Sequence, residues 1–428
     1  MRDVVLMDGL RTPFAKSGTA LATVAPRELG RVAVAELLAR TGVDPAEVDE
    51  VIIGNVAGPS DSANVARVIA LLAGIPENVP AYTVHRNCAS GMESITEAHE
   101  KIASGRAELI VAGGVESMSQ IPLYLSDGMT KVFERASRAR SLGQRLAAFA
   151  SIRPKDFTPR IAIMEGLTDP VSGLNMGETA EVLAKEFGIS REAQDDFALM
   201  SHRRAVAAME AGRMGEEIVP VFEPPYKEAV AEDVGPRKNQ SLEALAKLRP
   251  FFDRRNGTVT PGNSCPITDG AAAVLVASAE KAKALGLTPS GRIRGYAFVG
   301  LDPARMGLGP TYATPVALKR AGASFKDLGL IELNEAFAAQ VIANEIAMAS
   351  PQYCRQHLGL PGALGEIDRD RLNVNGGAIA LGHPVGVSGT RLVLTLLREM
   401  RRRDLPLGLA TLCVGGGQGA ALVMERAA

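Results

Sequence analysis

The sequence has no tryptophan, few aromatic residues and only four cysteines. Aromatic residues make up 4% of the chain, which is too few for the stacking platforms that bind single-stranded nucleic acids. The cysteines, Cys88, Cys265, Cys354 and Cys413, are too widely spaced for a zinc knuckle or a C-x-x-C redox pair. Four cysteines in 428 residues also exclude the disulfide framework of a small secreted protein.

A charge imbalance and long apolar runs are missing as well. Lys and Arg number 47 against 48 Asp and Glu, so the formal net charge of -1 predicts no general attraction to nucleic acid or to anionic membranes. No apolar stretch is long enough to cross a bilayer, and residues 1–14 lack the apolar core and cleavage site of a signal peptide. We therefore expect a soluble, cytoplasmic protein.

What the sequence does contain is the pattern of an α/β protein. Hydrophobic residues make up 46% of the chain, enough for large cores in the two or three domains that its length predicts. Strand-like apolar runs alternate with helical patterns, which favours a layered α/β architecture. The predicted strands are residues 4–7, 50–53, 109–112, 272–277, 329–333, 409–414 and 420–424, and the predicted helices include residues 26–41 and 90–104.

The two halves of the chain share a similar order of helix, strand and glycine segments. A Ser-Gly pair at residues 90–91 opens a helix, and the following strand ends in Gly-Gly at residues 113–114. The same order recurs from residues 388–389 to 415–416. Either the chain contains two similar halves whose turns meet at a shared interface, or this is the common helix–strand–glycine pattern of α/β proteins.

The middle of the chain, residues 119–255, has helical patterns, scattered charge and few strand runs, which predicts a lobe inserted in the first half. Residues 177–187 and 190–212 are predicted amphipathic helices. Residues 135–155 are locally basic, and they form either a solvated helix face or a contact for phosphates or a membrane surface.

Cys88 is the first candidate for chemistry. It follows a short β-prone run, residues 81–84, and precedes a helix-prone run that begins at Ser90. A thiol at a strand-to-helix turn lies near the positive end of the helix, which favours the thiolate, the form that attacks an acyl carbon. A small buried residue at a tight turn would explain the same segment equally well.

Three further residues occupy comparable junctions. His383 lies in a glycine-rich turn ahead of a helix, where it is either a general base or a histidine satisfied by turn carbonyls. Cys413 ends a strand before a glycine run whose N–H groups can form an oxyanion pocket; the run lacks the Lys-Ser/Thr ending of a nucleotide-binding loop. Asn334 lies between a strand and a helix, where it either caps the helix or holds a water or an acyl oxygen.

Four blocks of the sequence resemble the thiolase family, and they occur in the family's order. They are the Cys88 block, Asn-Glu-Ala-Phe-Ala at residues 334–338, Gly-Gly-Ala-Ile-Ala-Leu-Gly-His-Pro at residues 376–384, and Cys-Val-Gly-Gly-Gly-Gln-Gly at residues 413–419. The resemblance runs nearly end to end. It implies an α/β, thiolase-like duplicated α/β/α/β/α layered fold with an inserted helical loop domain.

The resemblance also implies domain boundaries. Residues 1–118 and 256–278 would form the N-terminal half, residues 119–255 the loop domain that binds coenzyme A, and residues 279–428 the C-terminal half.

The same resemblance assigns roles to the residues at the junctions. Cys88 would be the nucleophile that takes up the acyl group as a thioester, His383 the base that activates it, and Cys413 the second acid/base. Asn334 would fix a water in one oxyanion hole, and the N–H groups of Cys88 and Gly415 would form the other. No metal and no permanently bound cofactor are implied, and coenzyme A is a substrate.

A further set of residues falls where the family binds coenzyme A or walls the acyl pocket: Met176, Phe252, Ser264, Cys265, Met306 and Phe337. The chain mixes subfamily signatures here. Cys265 stands where acetoacetyl-type members usually carry Ser, and Asn175 where they often carry His. Thiolases of fatty-acid oxidation complexes, which residues 130–175 resemble, generally have His in place of Asn334.

By this resemblance the chain is an acyltransferase, a 3-ketoacyl-CoA thiolase (acetyl-CoA C-acyltransferase) of fatty-acid β-oxidation. Coenzyme A would cleave 3-ketoacyl-CoA to acyl-CoA and acetyl-CoA through an acyl-cysteine. The alternative is an acetyl-CoA C-acetyltransferase that makes acetoacetyl-CoA by Claisen condensation; a ketosynthase-type condensing enzyme is more remote, because Cys413 has no counterpart there.

The implied partners are a second copy in a homodimer or homotetramer and a hydratase/dehydrogenase subunit. Nucleic acid is not expected, and nothing supports membrane association.

Overall fold

The computed structural model describes residues 2–222, 225 and 228–427. Its strands are β1 (Val4–Arg11), β2 (Ala15–Lys16), β3 (Glu50–Gly54), β4 (Ala81–Val84), β5 (Leu109–Ser117), β6 (Leu123–Tyr124), β7 (Arg160–Ile161), β8 (Val221–Phe222), β9 (Ala229–Val230), β10 (Thr268–Ser278), β11 (Gly291–Gly300), β12 (Leu330–Leu333), β13 (Leu407–Val414) and β14 (Gln418–Arg426).

The α-helices are α1 (Pro26–Thr41), α2 (Val65–Leu72), α3 (Ser90–Ala103), α4 (Asp127–Arg138), α5 (Leu142–Ala150), α6 (Ala162–Gly166), α7 (Met176–Glu186), α8 (Arg191–Glu210), α9 (Leu242–Ala246), α10 (Ala279–Ala284), α11 (Gly309–Ala321), α12 (Ala338–Ala349), α13 (Pro351–Leu358), α14 (Ala378–Leu381) and α15 (Ser388–Arg402). The predicted helices and strands all correspond to these elements, and that prediction is confirmed.

The central sheet has two equivalent halves. Its strand order is β12-β13-β14-β11-β1-β10-β5-β3-β4, and β2 pairs with β10 at the side. In one half β3 runs parallel to β5, which is antiparallel to β10; in the other, β12 runs parallel to β13, which is antiparallel to β14. The halves meet between β1 and β11, where Leu6 pairs with Gly291. The chain is therefore duplicated, as one of the two interpretations of its sequence pattern holds.

Three apolar clusters hold the helices and the two half-sheets together as five layers. Helices α1 and α2 cover the outer face of the first half-sheet, and α11 and α12 cover the outer face of the second. The inner faces of both half-sheets pack against α3 and α15, which lie between them. The strands β5, β10 and β13 are buried on both faces, which explains why they are nearly continuous apolar runs. The prediction of a duplicated α/β/α/β/α layering is confirmed.

The two inner helices begin side by side. An ideal Cβ on Gly91 would lie 2.8 Å from the backbone nitrogen of Thr390, and one on Gly389 would lie 2.5 Å from that of Met92. Only glycine permits an approach this close. The turns that precede α3 and α15 therefore meet at the interface between the halves.

The segment between β5 and β10, called the inserted lobe below, consists of helices and short hairpins. Its helices α7 and α8 pack on the outer cluster of the second half-sheet, and α4 and α5 contact each other through Phe133 and Phe149. Arg135 and Arg138 on α4 are exposed, which agrees with a solvated basic face. No helix among the residues described is both long and apolar enough to cross a membrane.

Candidate active site

Cys88 lies in the turn between β4 and α3. Asn87, which precedes it, adopts a left-handed conformation with φ 44°, and its Nδ2 donates a hydrogen bond of 2.8 Å to the carbonyl oxygen of Gly415. The backbone N–H of Gly415 also lies near enough to the thiol of Cys88 to lower its pKa. Two adjacent contacts thus join the Cys88 turn to the glycine run that follows β13.

The thiol of Cys88 is a weaker acid than the sequence pattern predicts. Burial raises its pKa, and the backbone N–H groups of Gly415 and of Cys88 itself lower it only in part. The expectation that the helix end favours the thiolate is therefore wrong in sign for the resting protein, because desolvation outweighs the donors. A thiol in this state needs a base before it can attack a carbon.

Cys413 and Cys265 lie close enough to Cys88 to interact with it electrostatically. Cys413 is buried at the end of β13, and burial followed by electrostatic interaction with the neighbouring sulfurs of Cys88 and Cys265 raises its pKa well above the ordinary value. Burial and Cys88 raise the pKa of Cys265 to about 12. Cys413 is therefore a protonated thiol at neutral pH. Cys354 lies apart on α13, where its thiol contacts the carbonyl oxygen of Ala347 at 3.4 Å.

His383 lies in the loop between α14 and α15. Its Nδ1 is 2.6 Å from Ser388 Oγ, and the Ser388 hydroxyl donates to the carbonyl oxygen of Pro384 at 3.1 Å. A hydroxyl has one proton, so in the tautomer whose Nδ1 donates to Ser388, Ser388 donates on to Pro384 and Nε2 is the accepting nitrogen. The backbone N–H of His383 donates to Thr268 Oγ1 at 3.1 Å.

The imidazole of His383 is a neutral base. Burial and then the positive charge of Arg391 lower its pKa to about 4. Its Nε2 is buried and has no hydrogen-bond partner among the residues that the structure describes. The alternative of a histidine satisfied by turn carbonyls is therefore wrong, because the atom left over is the one that can accept a proton.

Asn334 follows β12 and is fully buried. Helix α12 begins only at Ala338 and is preceded by Phe337, so the alternative that Asn334 caps this helix is wrong. Both the Oδ1 and the Nδ2 of its amide lack a hydrogen-bond partner within the described part of the chain. A buried amide with both polar atoms free is a site for a water or a ligand oxygen.

The residues expected to contact coenzyme A or the acyl chain surround one apolar cluster. Its buried members include Met306, Phe337 and Cys413, and Met176, Phe252 and Cys265 are partly buried and pack against it. The rings of Phe252 and Phe337 meet edge to face at 6.0 Å, and Met176 reaches the backbone of Gly415, where its Sδ is 3.2 Å from an ideal Cβ position. Ser264 is buried beside them and donates to the carbonyl oxygen of Thr260 at 2.7 Å.

Two buried glutamates next to these turns were missed from the sequence. Glu116 lies near the end of β5, and Glu335 follows Asn334. Burial raises the pKa of both carboxyl groups, that of Glu116 to about 7. The signal that could have found them is an acidic residue inside an otherwise apolar or small-residue segment, since such a residue is rarely buried without partners.

Comparison with known proteins gives one result over the whole chain. A family model described as "Thiolase, N-terminal domain" matches residues 4–280, and one described as "Thiolase, C-terminal domain" matches residues 287–426. The 3-ketoacyl-CoA thiolase of Pectobacterium atrosepticum is 44% identical over 423 residues, which are 99% of this chain and 96% of that protein.

Solved structures agree with the sequence comparison. The acetyl-CoA acetyltransferase of Bacillus anthracis is 39% identical, with a TM-score of 0.86 over 100% of this chain and 99% of that one. The human mitochondrial 3-ketoacyl-CoA thiolase in complex with CoA is 38% identical, with a TM-score of 0.85 over 100% of this chain and 98% of that one. The fold described above is therefore shared with both.

Proposed function

Since the chain belongs to the thiolase family, we propose that it is a 3-ketoacyl-CoA thiolase that acts in fatty-acid β-oxidation. It is an acyltransferase, and its donor and acceptor are thioesters of coenzyme A and coenzyme A itself. The observation that carries the proposal is the hydrogen bond of 2.8 Å from Asn87 Nδ2, beside Cys88, to the carbonyl oxygen of Gly415. This bond holds one thiol against the segment that bears the second, Cys413.

The first half of the reaction transfers an acyl group to Cys88. His383 Nε2 takes the thiol proton, and the thiolate attacks the 3-keto carbon of the substrate. A water on the free amide of Asn334 and the N–H groups of Cys88 and Gly415 serve as the two sets of oxyanion donors. The bond between the second and third carbons breaks, and Cys413 gives its proton to the departing acetyl-CoA enolate.

The second half returns both thiols to their starting states. The Cys413 thiolate takes the proton of incoming coenzyme A, whose sulfur attacks the acyl-cysteine carbonyl. Acyl-CoA leaves, and Cys88 recovers its proton from His383. A buried thiol suits the role of Cys413, because its raised pKa keeps it protonated until the enolate forms.

Coenzyme A would approach from the inserted lobe, and residues 119–255 act as its binding domain in this proposal. Met176 begins α7 of the lobe and reaches Gly415, and Phe252, also in the lobe, packs on Phe337 of the second half. Because both lobe residues contact the segments that carry the site, they are suited to line the path of the pantetheine arm. Ser264, Cys265 and Met306 complete this lining.

Acetoacetyl-CoA synthesis is the alternative, and it uses the same atoms in reverse. It is less favoured because the curated relative that spans the chain is named a 3-ketoacyl-CoA thiolase.

The deciding experiment compares thiolysis rates on acetoacetyl-CoA and on a long-chain 3-ketoacyl-CoA. We expect turnover of both, and loss of activity beyond four carbons would contradict the proposal. Cys88→Ala should abolish turnover, and Cys354→Ala, a thiol remote from the site, should retain it.

We also propose that the protein works as a homodimer or homotetramer in the cytoplasm. The support for self-association is β4, which lies at the end of the sheet order and is half-buried along its length. Within the described part of the chain no strand pairs with the outer edge of β4, which leads directly into the Cys88 turn, so a second copy paired there would wall both sites. Native mass spectrometry tests this, and a monomer at working concentration would contradict it.

A hydratase/dehydrogenase subunit is the further partner that we propose. The support is the surface of the inserted lobe, where Leu123, Leu142, Leu146 and Phe157 are exposed, because a surface rich in exposed apolar side chains is typical of interfaces. Co-expression with such a subunit and measurement of the mass of the purified complex is the test, and failure to co-purify would count against it.

A further inference from the structure

Glu116 joins the His383 turn to the first half of the molecule. Its carboxylate is fully buried and accepts four N–H donors, two at each oxygen. Oε1 accepts from Asn55 Nδ2 and the Ala57 backbone, each at 3.0 Å. Oε2 accepts from the backbone of Val56 at 3.1 Å and of Gly386 at 2.9 Å. The last of these donors lies in the loop that carries His383.

Glu335 joins the other side of that loop to the second half and to the inserted lobe. It is fully buried and accepts from Ser201 Oγ at 2.6 Å, Asn373 Nδ2 at 2.9 Å and the Ile379 backbone at 3.2 Å. Ser201 lies on α8 and also accepts from the backbone of Gly377 at 3.1 Å. The segment before His383 is therefore held by the same carboxylate that follows Asn334.

We propose that Glu116 and Glu335 are a pair of positioning residues that hold the His383 loop from its two ends and so fix His383 Nε2 relative to Cys88. His383 lies between Ile379 and Gly386, the two backbone positions that these carboxylates hold. The inference rests on the proposed function in one respect, that His383 is the base for Cys88.

The chemistry of the two sites requires carboxylates. In its ionised form, which predominates for Glu116 above a pH of about 7 because its pKa is about 7, a carboxyl group only accepts, and the hydrogen bonds that it receives are stronger than those of a neutral amide. Glutamine of the same shape offers one accepting oxygen, and its NH₂ group would face the remaining N–H donors. The glycines of the loop match this, since an ideal Cβ on Gly386 would lie 2.9 Å from Glu116 Oε2 and one on Gly377 2.3 Å from Glu335 Oε1.

The test is the rate at which iodoacetamide alkylates Cys88 in the full chain at pH 8, where Glu116 is mostly ionised, followed by mass spectrometry of the Cys88 peptide. Glu116→Gln and Glu335→Gln are each made alone and together with His383→Ala. We expect either single variant to slow alkylation about 10- to 100-fold, because a small displacement of a catalytic group costs about that much. In the His383→Ala background the same change should alter the rate by less than about two-fold.

Asp49→Asn is the matched control. Asp49 accepts the backbone N–H groups of Glu108 at 2.6 Å and Leu109 at 3.0 Å, at the opposite end of the strand that carries Glu116. Asp49→Asn therefore removes a carboxylate that, like Glu116, accepts backbone N–H groups, but that lies away from the His383 loop. We expect its alkylation rate to equal that of the unaltered protein, and a reduced rate would count against the proposal.

Steady-state thiolysis adds a second readout. Each glutamine variant should lower kcat and leave KM for coenzyme A within about two-fold, because the loop positions the base and not the substrate. The two glutamates lie on different elements, so if one variant fails to fold, as shown by circular dichroism, the other still tests the proposal.

The alkylation rates distinguish a failure of the positioning role of the two glutamates from a failure of the proposed role of His383. Alkylation that both glutamine variants leave unchanged, or that they slow equally with and without His383, overturns the positioning role. Alkylation that His383→Ala itself leaves unchanged overturns the assignment of His383 as the base.

Discussion

Cys88, His383 and Cys413 are all uncharged in the resting site. Burial raises the pKa of the two thiols and lowers that of the imidazole. A site of this kind avoids the cost of holding an unpaired charge in a dry environment. Charge arises only when Cys88 gives its proton to His383, at the moment when a substrate carbonyl and the oxyanion donors are present.

Replacing the second thiol should separate acid/base work from nucleophilic work. In Cys413→Ala the enolate has no acid and incoming coenzyme A has no base, so we expect kcat for thiolysis to fall at least about 100-fold. Cys88 keeps its base, so its alkylation by iodoacetamide should stay within about two-fold of the unaltered protein. An equal loss in both measurements would contradict the separate role of Cys413.

His202 should make the protein sensitive to acid. It is buried, and desolvation followed by Arg237 lowers its pKa to about 4 from an ordinary 6.5. Between these values the unfolded chain binds a proton that the folded one does not, so stability present above pH 6.5 is lost as the pH falls towards 4. The shift corresponds to about 3 kcal/mol.

The measurement for His202 is urea unfolding at pH 7 and at pH 4.5. In His202→Gln, whose amide oxygen can accept the Arg237 N–H that His202 Nδ1 accepts at 3.3 Å, the loss on acidification should be smaller than in the unaltered protein. Equal losses in the two proteins would show that His202 does not titrate in this way.

At the residue scale, the sequence identifies the reactive side chains but not their protonation states or hydrogen-bond partners. Cys88 stands out as a thiol at a predicted strand-to-helix turn, and His383 stands out because its turn is rich in glycine. The direction of the Cys88 pKa does not follow from the sequence, because desolvation depends on segments far along the chain. The free amide of Asn334 is also invisible there, since Asn before a helix is more often a cap.

The inner helices α3 and α15 bring the two reactive turns together through glycines. Ala on an exposed helix position in place of Gly normally stabilises by up to about 1 kcal/mol. At Gly91 the sign should reverse, because the added methyl would lie 2.7 Å from Thr390 Oγ1 and 2.8 Å from the Thr390 nitrogen. We expect Gly91→Ala to cost about 1 to 3 kcal/mol in urea unfolding.

Gly58→Ala is the control for this steric effect, because an ideal Cβ at Gly58 meets no atom within 4 Å among the described residues. Its stability should change by less than about 0.5 kcal/mol. A Gly91→Ala protein as stable as the unaltered one would mean that the helix starts can separate without cost.

At the element scale, the strands and most helices could be predicted from apolar periodicity, and β10 and β13 are clear examples. The hydrogen bonds that join these elements to one another could not be predicted from the sequence. Glu116 accepts from residues 55–57 and from Gly386, and nothing in local sequence links these segments. Such a contact depends on the layering, which brings the end of β5 against the loop before α15, where an ideal Cβ on Gly114 would lie 2.1 Å from the carbonyl oxygen of Gly386.

One buried ion pair ties the inserted lobe to the sheet. The guanidinium of Arg11 on β1 is fully buried, with Nη1 2.6 Å from Asp233 Oδ1 and Nε 2.7 Å from Glu217 Oε1. Removing one member of such a group leaves charges without partners. We expect Arg11→Met to cost about 3 to 5 kcal/mol in urea unfolding and to expose the lobe to limited proteolysis.

Arg160→Met is the comparison, because Arg160 makes ion pairs with Asp127 and Glu165 on the exposed surface of the same lobe. Exposed pairs contribute about 0 to 1 kcal/mol. Similar losses in the two variants would contradict the idea that the Arg11 group anchors the lobe.

At the scale of the whole molecule, the layered fold and the inserted lobe follow from the order of strand-like, helical and glycine-rich segments. Duplication remained one of two interpretations until the strand order β3-β5-β10 could be compared with β12-β13-β14. How the lobe meets the core through Met176 and Phe252 could not be predicted, because these contacts join residues that are remote along the chain.

The central claim is that Cys88 carries the acyl group between the two halves of the reaction. The most direct measurement is rapid quenching of the protein with a 3-ketoacyl-CoA in the absence of coenzyme A, followed by mass spectrometry of its peptides. We expect one acyl group on the Cys88 peptide and none on those of Cys265, Cys354 or Cys413. An acyl group on another cysteine, or turnover with no acylated peptide at any time, would contradict the claim.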